Sequence, residues 1–396
     1  MIEASHLSKV YGLARNRALP LLTGDRRHEA VRHAGGFLGA DDVSFTVRRG
    51  ELFVIMGLSG SGKSTVLRMI NRLVEPTDGR LSIDGQDVPA MAAGDLRELR
   101  NRRISMVFQH FALFPHRTIR ENTAYGLKVR GVPVRERLER ADWALRRVGL
   151  GDRGDARPDA LSGGMKQRVG LARALATDAD ILLMDEPFSA LDPLIKREMQ
   201  ELLLTLQAED QRTIVFVTHD LNEAMRIGHR IMVMKDGRVV QCDTGPDLLS
   251  APADDYVSDF VADVDRSRVL TAASVLRPPW CTTRLSDSPG EVLRRLEAAE
   301  MNGVFVLDKL DRILGVARDD LLANALRNGE DDLRNCLVQD YDTVPVDRPL
   351  VEFCHLAGRH TVPIAAVDEH GRLLGVVPRA AILSSLASPK KVTAHA

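Results

Sequence analysis

Cysteine is scarce in this sequence. There are four in 396 residues, Cys242, Cys281, Cys336 and Cys354, and no two form a C-x-x-C pair. That pattern excludes a disulfide framework and a cysteine zinc site, and suits a reducing compartment. Long apolar runs are missing too: none approaches the ~20 residues a spanning helix needs, so any membrane association is expected to come through a partner. The N-terminus, MIEASHLSKVYG, lacks the basic-then-apolar layout of a secretion signal. Charge of one sign is absent as well. The formal net charge is -1 with 28% charged residues, which points to neither a nucleic-acid partner nor a disordered tail. What remains is a chain long enough for two or three domains.

One stretch organises the rest, Glu51 to Thr65 (ELFVIMGLSGSGKST). Leu52 to Met56 reads as a buried parallel strand. Gly57, Leu58, Ser59, Gly60, Ser61, Gly62, Lys63 and Ser64 fit the phosphate-loop pattern G-x-x-x-x-G-K-[ST], and Thr65 leads into a helix. Glycines let backbone N–H groups turn inward around phosphates, and the helix aims its positive end at them. Lys63 is placed to neutralise the β- and γ-phosphates of ATP, and Ser64 to ligate Mg²⁺.

Along the chain, residues 2–11 read as a strand ending in Tyr11. Residues 12–39 read as an insertion rich in arginine, either partly helical or a mobile basic loop. Residues 42–47 alternate like a half-buried strand. Further apolar runs end at chemically useful residues: Ile104 to Phe108 before Gln109, Ile181 to Met184 before Asp185 and Glu186, and Thr213 to Thr218 before His219. Open α/β sheets bind ligands at such strand ends. Asp185 and Gln109 can join Ser64 around Mg²⁺, Glu186 can polarise an attacking water, and His219 can hydrogen-bond the γ-phosphate. Leu161-Ser162-Gly163-Gly164 opens another helix whose N–H groups can meet a phosphate. If that helix lies far from the phosphate loop, a head-to-tail dimer brings the two together. Asp192-Pro193 starts a further helix as N-cap and first residue.

At these residues the chain resembles the ATP-binding-cassette ATPases, with six motifs in family order over about residues 2–250. The resemblance implies Walker A at Gly57–Ser64, the Q-loop at Gln109, the signature at Leu161–Met165 and Walker B at Ile181–Asp185. It makes Glu186 the general base, Ser189–Asp192 the D-loop and His219 the switch histidine. It further implies that Tyr11 stacks on adenine, that Thr65 and Asp192 line the nucleotide site, and that Ser162, Gly163 and Gly164 meet the partner subunit's nucleotide. Met165 departs from the glutamine many members carry; because it follows the glycines, no loss of ATPase activity is expected.

The insertion, IMGLSGSGKST, VFQHFALFPH, LSGGM and THDLNEAMRIGHRI are similar to the glycine betaine/proline betaine importer ATPases. That resemblance implies a homodimeric subunit energising import of a quaternary amine, peripheral on the cytoplasmic face of the membrane. Its partners are a transmembrane permease, met near Phe111, Phe114 and Pro115, and an extracytoplasmic binding protein. Importers of methionine or a polyamine are the alternative. A soluble ATP-switched protein acting on nucleic acid is disfavoured, because one cassette is present and only about 50 residues separate Gln109 from Ser162.

The C-terminal third contains a repeat. Gly303–Leu326 aligns with Val362–Ala387, each with a strand ending at an Asp (Asp308, Asp368) and a returning Leu-Gly-Val. It resembles a tandem CBS pair. The positions where nucleotide-binding members carry ribose ligands are Arg318 and Leu321, then Pro378 and Ala381, which argues against adenosine-nucleotide sensing. From Ser274 onward, 15 basic and 17 acidic residues show no single-sign face, so an ionic-strength sensor and a purely structural module both stay open. The expected fold is α/β: a P-loop NTPase core with an antiparallel β subdomain and a helical subdomain, plus a C-terminal α/β tandem CBS module. The expected boundaries are 1–250 for the ATPase, 251–273 linker, 274–331 and 332–388 for the repeats, and 389–396 for a tail.

Overall fold

Apolar runs of four to six residues, too short for helices and rich in β-branched side chains, build the central sheet. The computed structural model describes residues 1–24, 26–108 and 112–387. Gln109, Phe111 and the tail 389–396 lie outside the described residues. The chain divides into two units, Met1–Val261 and a second from Ala262.

In the first unit the strands are β1 (Ile2–Tyr11), β2 (Phe37–Val47), β3 (Leu52–Met56), β4 (Asp78–Ile83), β5 (Gln86–Asp87), β6 (Ile104–Val107), β7 (Ile181–Asp185), β8 (Thr213–Thr218), β9 (Arg230–Lys235) and β10 (Arg238–Asp243). They form a four-stranded antiparallel sheet, β2-β1-β4-β5, and a six-stranded sheet, β10-β9-β3-β8-β7-β6. Five strands of the larger sheet are parallel, with antiparallel β10 at its edge. β3, β7 and β8 are buried along their whole length, as strands covered on both faces must be. The inner faces of both sheets share one core, including Ile2, Phe45, Phe53, Ile55, Leu183 and Val217.

β2 begins at Phe37, not at residue 42. It follows β1 through several bulges, with Tyr11 opposite Phe37 and Val10 opposite Leu38, and the bulges hide the strand's alternation. The inserted segment takes the helical form, with helices Arg15–Ala18 and Arg27–His33. Val10, Ala18, Val31 and Leu38 make its small core.

Between β6 and β7 lie helices Ile119–Thr123, Tyr125–Val129 and Val134–Arg147, then Gly163–Ala176. The first opens with a capping box of Thr118 and Glu121. Gly131, at φ 75°, and Pro133 interrupt the run. The unit continues past residue 250 through helix Asp255–Phe260, whose Tyr256 ring lies under the Lys235 ammonium at 4.5 Å.

In the second unit, β11 (Thr282–Arg284), β12 (Gly303–Leu307), β13 (Ile313–Arg318) and β14 (Leu337–Val338) form one sheet, and β15 (Thr343–Pro345), β16 (Ile364–Val367) and β17 (Leu373–Val377) another. The repeat is built twice in the same way. In each hairpin the aspartate (Asp308, Asp368) accepts from turn N–H groups and pairs with the arginine four residues on, Arg312 or Arg372. The two arginines then pair across the repeats as a β-bridge. Phe305 and Val316 of the first copy share a core with Ala365 and Val376 of the second, so neither copy is closed alone. Residues 271–277 pair with the second copy, through Thr271 with Pro349 and Arg277 with Val376.

Candidate functional site

Strand register sets the site. Met56 stands opposite Thr218, Asp185 opposite Val217 and Val107 opposite Met184. The residues that follow, Gly57, His219 and Glu186, therefore leave the sheet side by side at its C-terminal edge, next to the strand that leads to residue 109.

Two glycines of the phosphate loop are irreplaceable on geometry. Gly57 sits at φ 148°, where a Cβ would lie 2.2 Å from the Met234 carbonyl oxygen. Gly62 sits at φ 96°, with the Gly39 carbonyl oxygen 2.3 Å from the same point. Leu58, Ser59 and Gly60 are exposed at the tip. The loop is tied behind by the N–H of Gly237, which donates to the Ser61 carbonyl at 3.2 Å. Lys63 opens helix Lys63–Ile70 and is buried. Its ammonium donates to the carbonyls of Gly57 at 2.9 Å and Leu58 at 3.0 Å. Burial pushes its pKa down, opposed by the charges of Glu186 and Asp185.

Asp185 is buried and fully partnered. Ser64 Oγ donates to its Oδ1 at 2.7 Å, and Arg68 donates to its Oδ2 from Nε at 3.1 Å and Nη2 at 2.9 Å. Glu186 adopts the left-handed region at φ 45°, a strained conformation for a non-glycine residue and common at functional sites. Its carboxylate lies 3.1 Å from His219 Nδ1. His219 is set between two anchored neighbours. Thr218 Oγ1 donates to the buried Glu223, which also accepts from Gln200 Nε2 at 3.1 Å, and Asp220 pairs with Lys196 at 2.7 Å. Burial raises the Glu223 pKa, opposed by its hydrogen bonds and Lys196.

The structure thus brings together Lys63, Ser64 and Asp185, and beside them Glu186 with His219. Tyr11 joins the same group, its hydroxyl 3.2 Å from Thr65 Oγ1. Ser162, Gly163, Gly164 and Asp192 form a second group. Ser162 caps its helix by accepting from the Met165 N–H at 3.3 Å, and Asp192 caps the next by accepting from Leu194 and Ile195. A Cβ on Gly164 would meet Ile195 Cγ2 at 2.5 Å. Among the described residues no hydrogen bond joins the two groups. Phe114 packs on Tyr125, ring centroids 4.5 Å apart, and under the Arg117 guanidinium.

Sequence reasoning missed Arg68 and Glu223. Arg68 had a signal: it stands four residues after Ser64, on the same helix face, so a carboxylate that reaches one reaches both. Glu223 is an acid inside an otherwise apolar helix face, a pattern that asks for a buried partner.

The residues suit a Mg²⁺-nucleotide. The loop tip, Leu58 to Gly60, is open to a ligand, and Lys63 stands behind it. Ser64 and Asp185 offer hard oxygen ligands 2.7 Å apart. Among the described residues no cluster of three acidic, imidazole or thiol groups could hold a metal ion. Loop N–H groups, a lysine, a metal-binding pair and a carboxylate aimed by a histidine together can grip a triphosphate and activate a water against it.

Residues 40–189 match the family model described as ABC transporter. The chain is 46% identical over 389 residues to the glycine betaine transport ATP-binding protein OpuAA of Bacillus subtilis (strain 168), covering 98% of this chain and 92% of that one. It is 44% identical over 386 residues to the glycine betaine/carnitine transport ATP-binding protein GbuA of Listeria monocytogenes serotype 1/2a (strain 10403S), covering 97% of each. Among solved structures it is similar to the dimeric post-hydrolysis state of the ATP-binding cassette MJ0796 bound to ADP and Pi, with a TM-score of 0.53 and 34% identity over 62% of this chain and 98% of that one.

Proposed function

We propose, on the premise that this chain belongs to the ABC transporter ATP-binding proteins of glycine betaine transport, that two copies close around two ATP molecules to drive a separate permease. The chain is an ATPase. The observation that carries the reading is the convergence of Lys63, Ser64, Asp185, Glu186 and His219 at one sheet edge. Lys63 and the N–H groups of Gly57 to Thr65 hold the phosphates. Ser64 and Asp185, with Gln109, hold Mg²⁺, which supplies positive charge where negative charge develops. Glu186 takes the proton of the attacking water, and His219 holds that carboxylate in place. Tyr11 stacks on the base. Ser162, Gly163 and Gly164 of the second copy, with Asp192, complete each site, which accounts for their separation from the phosphate loop within one chain.

Among the described residues no helix is long and apolar enough to cross a membrane, so the solute passes through another chain. We assign the solute as glycine betaine or a related quaternary amine, as named for the relatives. The binding site for that amine belongs to an extracytoplasmic protein, and this chain works at the cytoplasmic face. The C-terminal repeat is assigned as a tandem CBS module that holds no adenosine nucleotide. Support for this comes from Arg318, which pairs with Asp320 at 2.9 Å, and from Pro378, which has no side-chain donor and caps helix Arg379–Leu386.

The test is Glu186→Gln and Lys63→Ala in the full chain, with ATP binding, ATP-dependent dimerisation and phosphate release measured. Glu186→Gln is expected to dimerise with ATP and stop turnover, and Lys63→Ala to lose nucleotide binding. Hydrolysis by Glu186→Gln at the parent rate would remove Glu186 as the base.

A further inference from the structure

The inserted segment delivers an aromatic to the nucleotide site. β1 and β2 end opposite each other, with Tyr11 and Phe37 as direct cross-strand partners. Such partners in an antiparallel pair project from the same face of the sheet. The neighbouring pair, Val10 and Leu38, faces the other way, into the core made with Ala18 and Val31 of the inserted helices. The insertion therefore covers one face of this sheet corner and leaves the other to Tyr11 and Phe37.

That second face looks at the phosphate-loop helix. The Tyr11 hydroxyl lies 3.2 Å from Thr65 Oγ1, and a Cβ on Gly39 would stand 2.7 Å from Tyr11 Cε2 and 3.5 Å from Thr65 Oγ1. A side chain at position 39 would have to displace the Tyr11 ring from this position. Lys9 Nζ approaches the same ring, 5.2 Å from its centroid. Phe37 is 62% exposed, so its ring is open to a ligand on the face it shares with Tyr11.

The strand that carries Phe37 is held rigidly to the loop. Asp41, fully buried, pairs with Arg27 at 2.8 Å and His28 at 3.0 Å from the insertion, and with Arg238 of β10 at 2.6 Å. Its N–H donates to the Gly237 carbonyl at 2.9 Å, and the Gly237 N–H donates in turn to Ser61.

We propose that Phe37 is a second aromatic of the nucleobase platform, beside Tyr11, positioned by the Asp41 ion-pair cluster. This rests on the reading of Tyr11 as the base-stacking residue. The occupant is the purine base of the bound nucleotide, recognised by its π-face and apolar edge rather than by hydrogen bonds.

The experiment is calorimetric titration of the full chain with Mg·ATP and, as a probe without a base, with inorganic tripolyphosphate. The variants are Phe37→Ala, Phe37→Trp and Tyr11→Ala. Phe37→Ala is expected to weaken ATP binding roughly five- to tenfold, on the scale of one base–aromatic stack, and to leave tripolyphosphate binding unchanged. Phe37→Trp should keep ATP affinity at the parent level. If Phe37→Ala binds ATP like the parent while Tyr11→Ala is weakened, the inference fails and the reading of Tyr11 stands. If neither variant is weakened, the base-stacking reading itself fails. Equal loss of ATP and tripolyphosphate binding by Phe37→Ala would also overturn the proposal, because it would place the effect on the phosphate loop.

Discussion

Replacing Arg68 by methionine tests how the protein stabilises Asp185, the carboxylate proposed to hold Mg²⁺, before nucleotide arrives. The Asp185 side chain is 3% exposed, with Ser64 on one oxygen and Arg68 on the other. Removing one partner of a buried pair costs roughly 3–5 kcal/mol, most of it the penalty of the orphaned charge. Arg68 is itself 48% exposed, so water can enter in its place, and screening brings the loss down to about 1–2 kcal/mol. Methionine keeps the helix propensity and most of the apolar stem. For a unit spanning Met1–Val261, each kcal/mol corresponds to roughly 2–4 °C, so the nucleotide-free melting temperature is expected to fall by about 2–8 °C. If Asp185 holds the metal as proposed, saturating Mg·ATP would supply a divalent cation beside it in parent and variant alike, and the gap should close. Ligand at a hundredfold excess over Kd adds ~2.7 kcal/mol by mass action, enough to identify the responding transition as that of the nucleotide-binding unit. Scanning calorimetry at constant salt, with and without Mg·ATP, measures both quantities. Identical melting of parent and variant without nucleotide would refute the argument, as would a gap that Mg·ATP leaves unchanged.

Two further predictions concern backbone and charge. Gly57→Ala is expected to lose roughly 3 kcal/mol or more together with nucleotide binding, because its φ is unfavourable and the blocking atom is backbone. Gly60→Ala, at φ 83° with open space around it, should cost only about 1 kcal/mol; melting curves and ATP titrations compare the two, and equal behaviour would contradict the cradle geometry. Asp84 is held below its ordinary pKa by the hydrogen bond from Arg103, with Arg49 assisting and burial opposing. A depressed carboxylate contributes stability that is present above the unfolded value and lost as pH falls through the native one. Asp84→Asn should therefore cost about 1 kcal/mol near neutral pH and nothing in acid below the native pKa. Urea midpoints across pH check this, and a loss that persists in acid would deny the ion pair.

The parts of the fold legible in the sequence are those specified by neighbours along the chain. The loop after β3 shows its glycines and lysine in one window. β7 and β8 show apolar runs that stop at Asp185 and His219, and parallel pairing then aligns their ends without further information. The hairpins at Asp308 and Asp368 are legible because each aspartate bonds residues within four positions. What stayed hidden depends on distant partners. Arg68 meets Asp185 across 117 residues, and Asp41 meets Arg238 across 197. The start of β2 was obscured because bulges near Gly39 break the two-residue period. The choice between helix and loop for the insertion turned on whether Ala18, Val31 and Leu38 could find Val10, which composition does not state. The positive φ of Glu186 comes just where β7 ends, with its N–H still donating to the Val217 carbonyl of β8 at 3.1 Å, and nothing in the run of residues announces it.

The charged groups assigned to catalysis already have partners within the chain. Lys63 is bonded to two loop carbonyls, Asp185 to Ser64 and Arg68, and Glu186 to His219. Nucleotide binding is then an exchange. In the proposed site, phosphate oxygens would replace carbonyls at Lys63, and a divalent cation would compete with the Arg68 guanidinium at Asp185. Because protein partners are given up, the net gain at each charge is smaller than the gross interaction. On the proposed reading, part of the affinity comes from the loop N–H donors and from the exposed face of Tyr11, where no protein ion pair is given up. The base end of the site is thereby assigned to holding ATP, and the sheet edge to distinguishing a triphosphate from a diphosphate. A protein that binds and releases nucleotide each cycle needs that separation, since tight binding at the reacting phosphate would slow product release.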